Sequence, residues 1–268
     1  MRRRGPGQRD HHRETLIEAF DFSGSVVLVT GGGRGVGLGI TTRFVDTGAT
    51  VVICGRRPPD SAPKGVAFIA ADVRDPDAVD ALIGEIAATH GRLDVAVNNA
   101  GGAPPADSAT ASPKFSTAIV ALNLLAPLYV AQRAYAVMHT QDTGGTIINI
   151  GSISGQRPSP RSAVYGAAKA GLANLTQTLA MEWAPNVRVN MVTAGLVKTE
   201  QAGLFYGDEA GIARVGATVP IGRMADPTDI GDACLLLASP LARYITGANL
   251  AVHGGGERPP FWEAASDQ

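Results

Sequence analysis

The chain has 268 residues, 45% of them hydrophobic and 18% charged, with a formal net charge of −1. That length and apolar content suit one sizeable domain with a full core, and the near-neutral balance gives nucleic acid no electrostatic footing as a main partner. Cys54 and Cys234 lie in apolar runs and read as buried small hydrophobes rather than a disulfide framework, and the five histidines lack metal-ligand spacing.

Residues 1–22 form a basic extension that opens Met1-Arg-Arg-Arg-Gly-Pro-Gly-Gln-Arg. No apolar segment follows the charges, as an export signal requires, and no run reads as long enough to span a membrane. The expectation is a solvated tail on a cytoplasmic protein, its His11-His12 pair carrying no site, with Leu16–Phe22 packed along the domain edge.

The β-branched run ending at Thr30 predicts a strand over 25–30, followed by a glycine cluster and a helix over 36–47. Strand, glycine loop and helix make a phosphate cradle. Glycines let the backbone approach a pyrophosphate, and the helix N-terminus offers free N–H groups. The spacing is Thr30-Gly31, three residues, Gly35, Val36, Gly37, which differs from G-x-G-x-x-G. Strands over 50–54 and 66–70 flank a stiff loop at Pro58–Pro63, and a helix over 76–89 leads to a strand over 93–98 that ends in Asn98-Asn99.

A long helix is expected around 112–139, then a strand over 145–150 whose carboxyl end carries Ser152. Such an end is the ligand-binding edge of an open α/β sheet. The helix predicted over 163–184 holds Tyr165 and Lys169 four residues apart, hence on one face. A free phenol has a pKa of about 10, and a neighbouring ammonium is expected to pull it toward neutrality. A strand over 187–192, a variable segment over 196–222, a helix over 227–238 and a strand over 248–252 complete the order. Strands alternating with helices predict an α/β fold, a Rossmann-like doubly wound parallel sheet of about seven strands in a single domain. Its first three strands run 3-2-1 outward, and a ligand is expected where strands one and four part.

Together, Thr30-Gly31…Gly35-Val36-Gly37, Asp72-Val73, Asn98-Asn99-Ala100-Gly101, Asn123, Ser152, Tyr165…Lys169 and Gly195…Thr199 strongly resemble the short-chain dehydrogenase/reductases, over residues 23–256. The resemblance implies a hydride-transferring enzyme that interconverts a secondary alcohol and a ketone. Tyr165 would be the general acid or base. Lys169 would tune it and hold the nicotinamide ribose, Ser152 would hold the substrate oxygen, and Asn123 would hold a water leading to solvent. Gly31, Gly35, Val36, Gly37, Asp72, Val73, Asn99, Ala100, Gly101, Gly195, Val197 and Thr199 would line the cofactor site. Two positions depart from the family pattern: Ala194 stands for proline, and His253 for aspartate near residues 257–268, the C-terminal tail.

Cofactor choice follows from charge. Strand two ends Cys54-Gly55-Arg56-Arg57 without the carboxylate that binds a free ribose 2′-OH, and Arg34 adds a third guanidinium. Arginine binds a 2′-phosphate through paired hydrogen bonds, so NADP(H) is favoured over NAD(H), the alternative being solvated arginines and NAD. Segment 196–222, with Leu204, Phe205, Tyr206 and Val215, reads as a lid over an apolar or bulky carbonyl substrate, with 3-oxoacyl thioesters and steroids equally compatible. The family likeness also implies a homo-oligomer, tetramer or dimer, through the helices near 112–139 and 163–184. Two alternatives stand beside this reading: a non-catalytic dinucleotide-binding regulator or scaffold, expected to lack Tyr, Lys or Ser, and a sugar-nucleotide epimerase, which needs a larger C-terminal domain.

Overall fold

The computed structural model describes residues 20–259 together with 261 and 265. The basic tail, Leu16–Ala19 and most of the C-terminal tail lie outside them. In chain order the elements are β1 Val26–Thr30, α1 Gly35–Asp46, β2 Thr50–Gly55, β3 Ala67–Ala70, α2 Pro76–His90, β4 Val95–Asn98 and α3 Pro113–Val120. A π turn over Ala121–Leu125 joins α3 to α4 Ala126–Met138, followed by β5 Gly145–Ser152, α5 Ala163–Trp183 and β6 Val187–Ala194. Two short helices, α6 Ala202–Tyr206 and α7 Glu209–Ala217, precede α8 Pro227–Ala238 and β7 Asn249–Val252.

All seven strands pair in parallel, in the order β3-β2-β1-β4-β5-β6-β7. Every residue of β1 is buried, because successive side chains enter two different cores. Val26 and Leu28 join α2, α4 and α5 on one face, while Val27 and Val29 join α1 and α8 on the other. On that second face Phe22 packs edge-to-face on Phe44, which anchors the start of the described chain. Cys54 and Cys234 are both buried.

Local chemistry sets the helix boundaries. Asp75 accepts from Asp77 N ahead of Pro76 at the start of α2, and Gly91, at φ 71°, ends it in the left-handed conformation. Asp226 and Asp229 form a reciprocal capping box on α8.

One expectation is refined here and one corrected. The expected long helix is present over Pro113–Met138, with the turn Ala121–Leu125 wound as π. Its whole stretch, Pro113–Met138, is also long and apolar enough by composition to cross a membrane. The composition reflects burial: Ala126, Val130, Ala131, Ala134 and Met138 of α4 are turned into the core.

Candidate active site

The carboxyl ends of β1, β4, β5 and β6 converge on one cleft of about 1150 Å³. At its centre β1 and β4 diverge, and side chains tie the two ends together. Thr30 Oγ1 accepts from Asn99 N at 3.0 Å and Ala100 N at 2.9 Å, while Asn99 Nδ2 donates to Thr30 O at 2.9 Å. Asn98 plays a structural part: its buried amide donates to Asn149 Oδ1 at 2.9 Å and Pro127 O at 3.1 Å.

The glycine loop closes tightly on this junction. A Cβ on Gly37 would stand 2.2 Å from Gly31 O and 2.5 Å from Asn99 Nδ2. Only glycine lets α1 begin that close to the strand ends, which leaves its first N–H groups facing the cleft.

Asn123 sits in the π turn and is fully buried. Its Nδ2 donates to Gly102 O at 3.0 Å and Ile119 O at 2.9 Å, and its Oδ1 accepts from Gly102 N at 2.8 Å. The amide therefore pins the loop after β4 to the helix. A Cβ on Gly101 would lie 2.8 Å from Asn123 Oδ1 and 3.3 Å from Lys169 Nζ, so these two polar atoms flank one glycine.

Ser152 ends β5, and its Oγ accepts from Ser154 N at 3.2 Å. Its hydroxyl also favours the Tyr165 phenolate electrostatically. Lys169, one turn along α5, is 3% exposed; its Nζ donates to Ile150 O at 2.8 Å and stands 5.8 Å from the Tyr165 ring centroid. Burial pushes the Lys169 ammonium down to about 8. The expected lowering of the Tyr165 phenol is not what the structure gives. Burial raises it, and the nearby Ser152 hydroxyl only partly offsets that rise. Desolvation of the phenolate dominates, and the Lys169 hydrogen bond goes to a backbone carbonyl rather than to the phenol.

The structure brings Tyr165, Lys169, Ser152 and all the expected cofactor-lining residues, from Gly31 to Thr199, to this one cleft, including Arg34, Arg56, Arg57, Asp72 and Val197. Asn123 stands behind it. Two further residues escaped the sequence reading. Arg74 grips both oxygens of Asp72, at 2.9 and 2.5 Å, and holds that carboxyl below its usual range, with a smaller contribution from Arg56. Glu200 also lines the cleft. An acid followed two residues later by arginine was the available signal for the first; nothing local signals the second.

The departures from pattern have visible consequences. Ala194 continues β6 and pairs in register with Val252. His253 presses on Gly195, where a Cβ would come within 2.6 Å of the histidine Cβ, and its Nδ1 is buried without a hydrogen-bond partner. The side chains of Leu204 and Phe205 lie outside the described residues.

Residues 31–257 match the family model described as Enoyl-(Acyl carrier protein) reductase. The chain belongs to the short-chain dehydrogenase/reductase family. It is 37% identical over 248 residues to an L-fucose dehydrogenase of Oryctolagus cuniculus, covering 88% of this chain and 86% of that one. It is 34% identical over 241 residues to a 3alpha-hydroxysteroid dehydrogenase of Mediterraneibacter gnavus, covering 85% and 95%. The ligand-free aldohexose dehydrogenase of Thermoplasma acidophilum superposes with a TM-score of 0.84 at 31% identity, covering 90% and 97%. The chain is accordingly an oxidoreductase of a family that binds NAD(P) and acts on alcohol and ketone groups.

Proposed function

We propose that the protein is an NADP(H)-dependent oxidoreductase that interconverts a secondary alcohol and a ketone, with Tyr165 moving the proton. The observation that carries this reading is the convergence of Ser152, Tyr165 and buried Lys169 in one cleft that also holds the glycine loop. A scaffold would have no use for a buried ammonium next to a buried phenol.

The cleft suits a dinucleotide on its own geometry. The Gly37 cradle admits a pyrophosphate to α1, and Arg34, Arg56 and Arg57 line the end where a 2′-phosphate would lie. When bound, the nicotinamide supplies or accepts the hydride. The chain's own residues manage the oxygen and its proton. Ser152 orients the substrate oxygen toward Tyr165. The Tyr165 phenol, held protonated by burial, donates in reduction; in oxidation the phenolate accepts. Lys169⁺ stabilises that phenolate and offers donors to the ribose hydroxyls, and Asn123, behind the cleft, would hold a water that leads to solvent.

For the substrate we favour an apolar or bulky carbonyl compound, 3-oxoacyl or steroid-like, under a lid formed by 196–222. A second reading, a sugar, is favoured by the L-fucose and aldohexose dehydrogenases among the relatives. We further place the enzyme in the cytoplasm as a homo-oligomer formed through α3, α4 and α5. The test is nicotinamide absorbance during a screen of 3-oxoacyl thioesters, hydroxysteroids and aldoses. Turnover confined to one class selects it, and no turnover with any, despite cofactor binding, favours the scaffold.

A further inference from the structure

Glu200 is an acid in a cleft read as anion-binding. Its Oε2 accepts from Gly35 N at 3.2 Å, across 165 residues of sequence. Gly35 opens α1, and the N-cap residue Arg34 provides no side-chain bond there. A carboxylate on such an N–H is held both by the hydrogen bond and by the positive end of the helix. The segment around it rests on the glycine loop: Thr199 Cγ2 lies 3.5 Å, and each Glu200 oxygen 3.8 Å, from the position a Cβ on Gly35 would take.

A pyrophosphate at the start of α1 needs this same donor. Its charges and a carboxylate repel each other across one N–H, so the two cannot share it. We propose that Glu200 is an internal competitor for the cofactor's pyrophosphate, and that dinucleotide entry displaces it. This rests on the reading that the cleft binds NAD(P)(H).

The displacement has a second effect. Ala202, the first residue of α6, donates its N–H to Thr199 O at 2.9 Å, so Glu200 lies inside the turn that begins the 196–222 segment. While Glu200 holds Gly35, the start of that segment is tied to the glycine loop. Exchange of one acceptor for another at Gly35 N therefore also frees the segment to rearrange over substrate.

The experiment is a pair of fluorescence titrations, with NADPH and with NADH, on the native protein, Glu200→Gln and Glu200→Ala. Both cofactors should bind about two- to fivefold more tightly to each variant, in line with the worth of an exposed charge at a helix end. The ratio between the cofactors should not move, because both carry the pyrophosphate. Without cofactor, protease cleavage within 196–222 should be faster in the variants; at saturation all three proteins should be cut alike. Unchanged or weaker cofactor binding by Glu200→Gln, with native thermal stability, overturns the competitor. A native protein that binds neither dinucleotide overturns the underlying reading instead.

Discussion

Replacing Lys169 with methionine should abolish catalysis and yet stabilise the protein at neutral pH. The ammonium is buried, and burial lowers its pKa from 10.5 to about 8. That difference amounts to about 3 kcal/mol of destabilisation whenever both folded and unfolded chains are protonated, which is below about pH 8. Between about 8 and 10.5 the unfolded chain binds the proton and the folded one releases it, so stability rises with pH; above that window the cost is gone. Methionine keeps most of the stem and removes the charge. It also strips Ile150 O of its donor, at 2.8 Å, which costs about 1 kcal/mol. The balance favours the variant by about 2 kcal/mol at pH 7, or roughly 4–8 °C in Tm for a domain of this size. Urea melts of both proteins at pH 7 and pH 10.5 measure it, and the gap should shrink or reverse at the higher pH. A variant less stable at pH 7, or a gap independent of pH, would refute the claim that Lys169 is held at a cost to folding.

Tyr165→Phe should lose at least about a hundredfold in turnover while cofactor affinity stays within about twofold. In the native enzyme, because burial raises the phenol above its ordinary value of 10.0, reduction should stay level well past neutral pH and fall only above about pH 10, where oxidation rises. Steady-state rates against pH in both directions check this, and a reductive rate that tracks loss of the Tyr165 proton already between about pH 7 and 9 would contradict it. Arg56→Ala should weaken NADPH about tenfold, with a smaller effect on NADH, and should flatten the salt dependence of NADPH binding; calorimetric titration at two ionic strengths decides. Arg161 holds a left-handed backbone at φ 65° and accepts a hydrogen bond from Ala106 N at 2.9 Å. Arg161→Gly should therefore raise stability by up to about 1 kcal/mol in a denaturant melt.

Much of the sheet was legible because strands such as β1, β2 and β4 are apolar, largely β-branched runs that stop at a glycine or asparagine. The expected ends at Thr30 and Asn98 match the structure, while β4 starts at Val95, two residues later than expected. β5 and β6 run two residues past the expected ends, to Ser152 and Ala194, since pairing between neighbours carries a strand beyond its propensity. The residues of the cleft were legible as a set, from spacing and family likeness. What stayed hidden depends on distance across the fold. The rise in the Tyr165 phenol is a burial effect, and burial is set by everything packed around α5. Glu200 meets Gly35 only because the segment after β6 returns across the strand ends to the glycine loop, and Arg74 matters only because Asp72 faces the cleft. The π turn was masked by residues that are all good helix formers, Ala121-Leu-Asn-Leu-Leu apart from one asparagine.

That turn also constrains how the chain can change length. Its backbone closes from Ala126 N to Ala121 O, one residue wider than an α-turn. Deleting any one of residues 121–125 would let the segment relax into an ordinary helix. An α-helix advances by about 100° per residue, and the wider π turn takes up its extra residue within nearly the same total rotation, so α4 would keep its phase relative to α3. The Ala126, Val130 and Ala134 stripe would stay on the sheet, while Asn123 would lose its hold on Gly102. The extra residue therefore serves the cleft rather than the core, and losing it would be felt at the loop after β4 before it was felt in folding.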